Sequence, residues 1–220
     1  MTRRKTVRPA GVRIAGTGMA VPPRLLTNDD LAQRVDTTDE WITQRTGIKT
    51  RHVVENGRIE TSTLGAQAVT QALQSAGMEP AQLDLLILAT MTPDVICPAS
   101  AASIVRKVGA IPCGALDVNI ACTGYVAALN LAHNTVASGH AKTVAVVASE
   151  TLTSIVDWSD RGTCILFGDG AGACILTASD DPEQGSLYQH LGSDAERGEV
   201  LFVPRTAADV PPGQDETFTG

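Results

Sequence analysis

The chain has 220 residues, 43% of them hydrophobic, with a formal net charge of -7 and a pI near 5.0. That length allows one domain with a sizeable core, or one half of a larger one, and the acidic balance argues against a nucleic-acid binder. Five cysteines with no CxxC pairing favour reduced thiols and a cytosolic setting, and no apolar run reaches the ~18 residues of a membrane span. In chain order, Met1 to Pro9 reads as a frayed basic tail without the apolar region of a signal peptide. Val12 to Gly18 reads as a strand ending in glycines. Asn28 to Val35 and Asp39 to Arg45 read as short helices, each opened by an Asn or Asp cap. Thr61 to Ala76 has helical spacing at Leu64, Ala68, Ala72 and Leu73 and stops at Gly77. Leu83 to Thr90 is apolar enough to be buried on both faces of a sheet. Pro98 to Val108 reads as a helix with proline in its first turn. Ala115 to Ile120 alternates like a strand, and Tyr125 to Ala132 reads as a helix. Lys142 to Ser149 and Gly172 to Ala178 are further buried strands. Strands alternating with helices imply a largely parallel sheet covered on both faces.

Cys122 stands between the alternating run and the helical run that follows it. A cysteine there lies at or near a helix N-terminus, where free amides and the positive dipole end favour thiolate. Ala121 and Gly124 leave room for a substrate carbonyl. On this segment alone, a nucleophile and a buried apolar cysteine are equally open readings.

Longer motifs narrow the choice. Asp39-Glu40-Trp41-Ile42, followed by Arg45-Thr46-Gly47-Ile48, resembles the DEWI-x-x-RTGI signature of β-ketoacyl-acyl carrier protein synthase III. Asp160-Arg161-Gly162-Thr163 with Phe167-Gly168-Asp169-Gly170-Ala171-Gly172-Ala173 resembles the same family's DRGT…FGDGAGA segment, and Ala121-Cys122-Thr123-Gly124 its nucleophile motif. The resemblance runs from about Gly11 to the last residue. It implies an α/β, thiolase-like fold: one five-stranded mixed sheet layered between helices, with the family's second half absent. The implied domain plan is a basic tail over 1–10, a thiolase-like half over 11–203 and a truncated loop segment over 204–220.

The resemblance also implies an activity. A cysteine takes an acyl group from acetyl-CoA or a similar primer, and a decarboxylating malonyl-acyl carrier protein then attacks it to start fatty acid synthesis. Cys122 would be the acyl acceptor, with its own amide donating to the thioester oxyanion. Trp41 and Arg161 would sandwich the adenine of CoA, Arg45 would meet its phosphates, and Thr37 would hydrogen-bond the adenine edge. Bland alternatives are a packing role for Trp41 and a surface salt bridge from Arg45 to Asp39 or Glu40. Phe167 would line the cysteine's cavity, or simply pack in the core. Cys97 stands in a loop that, in the family's dimer, reaches into the partner's acyl pocket, where many members carry a bulky aromatic. The smaller side chain predicts a pocket that tolerates more than acetyl, unless neighbours refill the space.

No metal site and no cofactor are expected, acyl-CoA being a substrate. The expected partners are acyl-CoA, an acyl carrier protein and a second copy of the full-length chain. Arg106-Lys107 or Arg3 to Arg8 could meet an acidic carrier, although charge pairs are usually a solvated face. Gly168 to Gly172 has neither P-loop nor GxGxxG spacing and reads as a tight turn between two strands. Family chains are longer, and their catalytic His and Asn lie in the second half; His52, His133, His140 and His190 do not occupy those positions. The chain is therefore expected to be a piece of a longer enzyme or a short form unable to condense. As a half it is expected to self-associate, with strands such as Lys142 to Ser149 uncovered. Two other readings stay open: a related acyltransferase of secondary metabolism, and a non-catalytic subunit.

Overall fold

A computed structural model describes residues 11–54, 59–197 and 202–203. The basic tail over 1–10, including Arg3 to Arg8, and the loop segment over 204–220 lie outside the described residues.

Five strands build the main sheet: β1 (Gly11–Ala20), β4 (Leu85–Ala89), β5 (Gly114–Val118), β6 (Thr143–Thr151) and β7 (Asp169–Ser179), in the order β1-β7-β6-β4-β5. β4 pairs parallel with β5 and β6, while β7 runs antiparallel to both β1 and β6. The sheet is therefore mixed, as the resemblance implied, and not the largely parallel sheet read from alternation. β1 runs through its glycines instead of ending at them. A Cβ at Gly16 or Gly18 would overlap the carbonyls of Ala72 and Ala68. The backbone of α3 (Thr61–Ala76) lies directly on the strand there, which only glycine permits.

Period two divides β4 between two cores. Leu86 and Leu88 join α3 and α4 (Ser100–Val108) on one face, with Val69, Leu73 and Ile104. Ile87 and Ala89 join α5 (Gly124–Ala137) on the other, with Ala128, Ala132 and Val136. Both faces of β6 are covered in the same way, contrary to the expectation that it would lie bare. Exposed apolar side chains lie elsewhere, among them Val126 and Leu131 on α5, Leu116 on the edge strand and Ile96 before α4.

A smaller unit, not foreseen, pairs β2 (Arg24–Thr27) with β3 (Thr50–Val53) and carries α1 (Asn28–Ala32), α2 (Asp39–Thr46) and α6 (Arg161–Cys164). Leu26, Leu31, Ile42, Val53, Cys164 and Ile165 form its core. The caps of α1 and α2 are Thr27 and Thr38, one residue earlier than expected. Their hydroxyls accept from the Asp30 and Trp41 amides, while the Asn28 and Asp39 side chains bond to each other instead. α1 is also shorter than the expected 28–35, ending at Ala32.

α4 starts at Ser100, and Pro98 precedes it across a cis bond to Cys97. The amides of Ser100 and Ala101 donate to the Asp117 carboxylate of β5, both at 2.8 Å, so a distant residue caps this helix. Gly170 and Gly172 lie within β7, paired with Glu150 and Ala148, and not in a turn. Asp169 opens that strand because its carboxylate takes the Val54 amide at 2.6 Å, the Thr153 amide at 2.9 Å and the Thr153 hydroxyl.

Candidate active site

β5 delivers Cys122 to the carboxyl edge of the parallel strands. Just beyond that edge the Thr90 amide donates to the Val118 carbonyl, joining the chain that leaves β4 to the end of β5. A 3-10 turn, Ala121–Thr123, then leads into α5. Ala121 has φ +43°, among the described residues the one non-glycine in the left-handed region. Such a conformation costs on the order of 1 kcal/mol or more and collects at functional positions. Gly124 lies close against β4 at the start of α5, where a Cβ would stand 3.2 Å from Ala89 Cβ. Cys122 is exposed on this turn, ahead of a helix of 14 residues whose first amide, that of Gly124, donates to the Ala121 carbonyl of the turn.

The other thiols differ. Cys164 and Cys174 are buried. Burial pushes Cys113 up to about 11, aided by the nearby Asp84 carboxylate. Burial also raises Cys164, with Asp160 adding and Arg51 opposing, and it raises Cys174 against the hydrogen bond from Tyr125. Of the five thiols, Cys122 and Cys97 are exposed. Cys97 lies in the stretch between β4 and α4, beside Ile96, which is 88% exposed.

Carboxylates hold the frame around the turn. Glu150, at the end of β6, accepts the Met91 amide at 2.8 Å, the Thr92 amide at 3.2 Å and both threonine hydroxyls of 90 and 92. Asp94 continues the network, accepting from the Ser62 amide, while its own amide donates to the Ser100 hydroxyl. The polar triple Ser149-Glu150-Thr151 at the end of an apolar run was the available signal for this hub. Asp117 carried none beyond a polar residue in an alternating strand.

In the smaller unit, Trp41 on α2 receives two guanidinium groups. Arg45 stands 4.1 Å and Arg161 4.8 Å from the ring centroid. Arg161 also donates to the Asp36 carbonyl at 2.9 Å and lies 3.8 Å from its carboxylate. Arg45 donates to the Trp41 carbonyl at 3.4 Å, so its guanidinium is on the indole. Asp39 is bonded by Asn28 and Glu40 by Gln44. The Thr37 hydroxyl is buried with no hydrogen-bond partner among the described residues. Phe167 is half-buried between α6 and β7. The structure thus brings Trp41, Arg45 and Arg161 together, and presents Cys122 and Cys97 on other segments.

The histidines are engaged away from the Cys122 turn. His52 meets the Pro22 carbonyl at 2.6 Å, His133 meets Gln189 at 3.1 Å, His140 meets the Ser138 hydroxyl at 2.8 Å, and His190 stacks on Tyr188. Among the described residues no cluster of His, Cys, Asp or Glu could hold a metal ion. No helix among them is long and apolar enough to cross a membrane.

The family model of 3-oxoacyl-[acyl-carrier-protein] synthase III matches residues 116–195, the stretch holding Cys122, Arg161 and Phe167. A β-ketoacyl-[acyl-carrier-protein] synthase III of Xylella fastidiosa is 52% identical over 192 residues, 87% of this chain and 58% of that protein. Over these residues the chain is similar to the β-ketoacyl-acyl carrier protein synthase III family. Its fold agrees with that of the synthase III of Pseudomonas aeruginosa at a TM-score of 0.82 and 36% identity, over 89% of this chain and 61% of that one. The priming β-ketosynthase of the R1128 polyketide pathway matches at 0.78, also 36% identical, over 82% and 54%. The chain spans less than two thirds of the length of these synthase III relatives, and the five-stranded mixed sheet between helices is the thiolase-like architecture they share.

Proposed function

We propose that this chain supplies the nucleophile and the CoA-binding unit of an acyltransferase that condenses an acyl-CoA primer with malonyl-acyl carrier protein, with decarboxylation, to start fatty acid synthesis. The observation that carries the reading is Cys122, exposed on a left-handed turn at the head of α5. The Cys122 thiolate attacks the thioester carbonyl, the Cys122 amide donates to the developing oxyanion, and the C–S bond to CoA breaks as CoA leaves as its thiolate, which takes a proton from water. The acyl group then rests on Cys122 until a carbanion from the decarboxylated partner takes it. Acyl-CoA is the substrate, and no resident cofactor is invoked. A second copy of the chain, an acyl carrier protein and a cytoplasmic location complete the proposal.

The stack on Trp41 supports CoA as the first substrate. An adenine between Trp41 and Arg161 needs two van der Waals layers, about 7 Å in all. The two groups are 4.8 Å apart, so Arg161 must swing off the ring and release the Asp36 carbonyl as the base enters. The unpartnered Thr37 hydroxyl is free to bond the base's edge, and Arg45 to reach phosphate. Similarity to a priming β-ketosynthase of a polyketide pathway favours a second reading, in which the same cysteine loads a starter for secondary metabolism. Peptide mass mapping after incubation with acetyl-CoA and longer acyl-CoA primers tests both. Acyl groups on Cys122 support the proposal, and acceptance of the longer primers supports the wider pocket inferred from Cys97. A chain that carries acyl groups on other cysteines, or on none, contradicts it.

A further inference from the structure

Arg51 is 6% exposed, and its guanidinium lies inside the smaller unit. The three hydrogen bonds it makes among the described residues go to neutral oxygens: the Leu26 carbonyl of β2 at 3.3 Å, the Asn28 side-chain oxygen at 3.0 Å and the Ile165 carbonyl at 3.0 Å. Its Nε is buried without a partner. Burying a guanidinium with no carboxylate bonded to it is costly, so stability alone is a poor reason for its presence.

What it joins is informative. Ile165 follows α6 directly, and α6 starts with Arg161. Asn28, 1% exposed, passes the connection on: its Nδ2 donates to Asp39 at 2.7 Å on α2 and to the Ile48 carbonyl at 2.8 Å just after it. Trp41 rides on α2. Arg51 and Asn28 thus form a two-residue bridge between the element that carries Arg161 and the element that carries Trp41. Gly168 tightens the same junction, because a Cβ there would stand 3.0 Å from both Arg51 Cβ and the His52 carbonyl.

We infer that Arg51, acting through Asn28, is a positioning residue that sets the spacing of the Trp41–Arg161 cleft, so that the base of an adenine nucleotide thioester enters by rotation of the Arg161 side chain while both backbones stay fixed. A planar fork serves three acceptors on two distant stretches of chain, 26–28 and Ile165, at once; a lysine brings a single nitrogen to the same place. The inference rests on the proposed role of Trp41 and Arg161 toward CoA.

The test uses the full chain carrying Trp158→Phe, which leaves Trp41 as its one tryptophan. Binding of CoA by calorimetry and acrylamide quenching of Trp41 are measured for this parent, for Arg51→Lys and for Asn28→Ala. Both variants are expected to stay folded, to bind CoA about tenfold more weakly and to show stronger quenching of Trp41 before any ligand is added. A folded variant of either kind with the parent's affinity and quenching overturns the inference. Failure of both to fold also overturns it, and assigns the bridge to stability. If the parent itself binds no CoA, the adenine reading falls, and the quenching of Trp41 still decides the role of Arg51.

Discussion

The Cys122 turn and the Trp41 unit are built by opposite means. The first is contiguous: β5, one turn and α5 follow one another, and carboxylates of Asp117 and Glu150 fix the surrounding backbone through amide hydrogens. The second is assembled from residues more than a hundred positions apart, and buried or stacked arginines hold it. A cysteine at a helix start is placed by local chain geometry alone. A surface that must grip a flat, anionic ligand needs planar cations brought from several elements.

Removing the proposed nucleophile should break the comparison most completely. Cys122→Ala or Cys122→Ser is expected to abolish acyl transfer from acetyl-CoA while leaving CoA affinity near the parent's, read by intact mass and by calorimetry. Loss of CoA binding in these variants would mean that the two regions are not separable. Trp41→Ala should do the converse. Base–aromatic stacking is worth about 1–3 kcal/mol, so the acyl-CoA dissociation constant should rise roughly 5- to 150-fold. Acylation of Cys122 at saturating acyl-CoA should change much less.

Asp117→Asn sharpens the contrast from the stability side. It weakens two charge-assisted bonds to the head of α4 and should cost about 1–2 kcal/mol in thermal unfolding, with CoA affinity unaffected. Thr37→Val is the mildest. Its hydroxyl has no partner to lose, so the melting temperature should hold or rise, while CoA binding weakens several-fold through one lost hydrogen bond.

The contiguous region was legible in the sequence. The strand leading to Cys122, the small residues about it and the Gly77 stop could all be read from neighbours, although β5 ends at Val118, two residues before the expected Ile120. Element edges were less so. The threonine caps lie one residue before the acidic or amide side chains that drew attention, and Asp117 caps α4 from another strand. Of the smaller unit, the two short helices and the residues carried by the family motifs could be named, and its β2–β3 pairing could not. Arg51 and Asn28 gave no signal, because a buried arginine in a four-residue strand looks like any basic surface position until its three acceptors are seen. Glycines 170 and 172 misled because a glycine-rich run reads as a turn, whereas here it lies within β7.

That the two regions serve one acyl-CoA is tested most directly by substrate protection. Iodoacetamide labelling of each cysteine is followed by peptide mass mapping, with and without CoA, in the parent and in Trp41→Ala. CoA should slow alkylation of Cys122 and leave Cys97 unchanged, and the protection should vanish in Trp41→Ala at the same CoA concentration. Protection of Cys122 that persists without Trp41, or CoA binding that leaves Cys122 as reactive as before, would contradict the account.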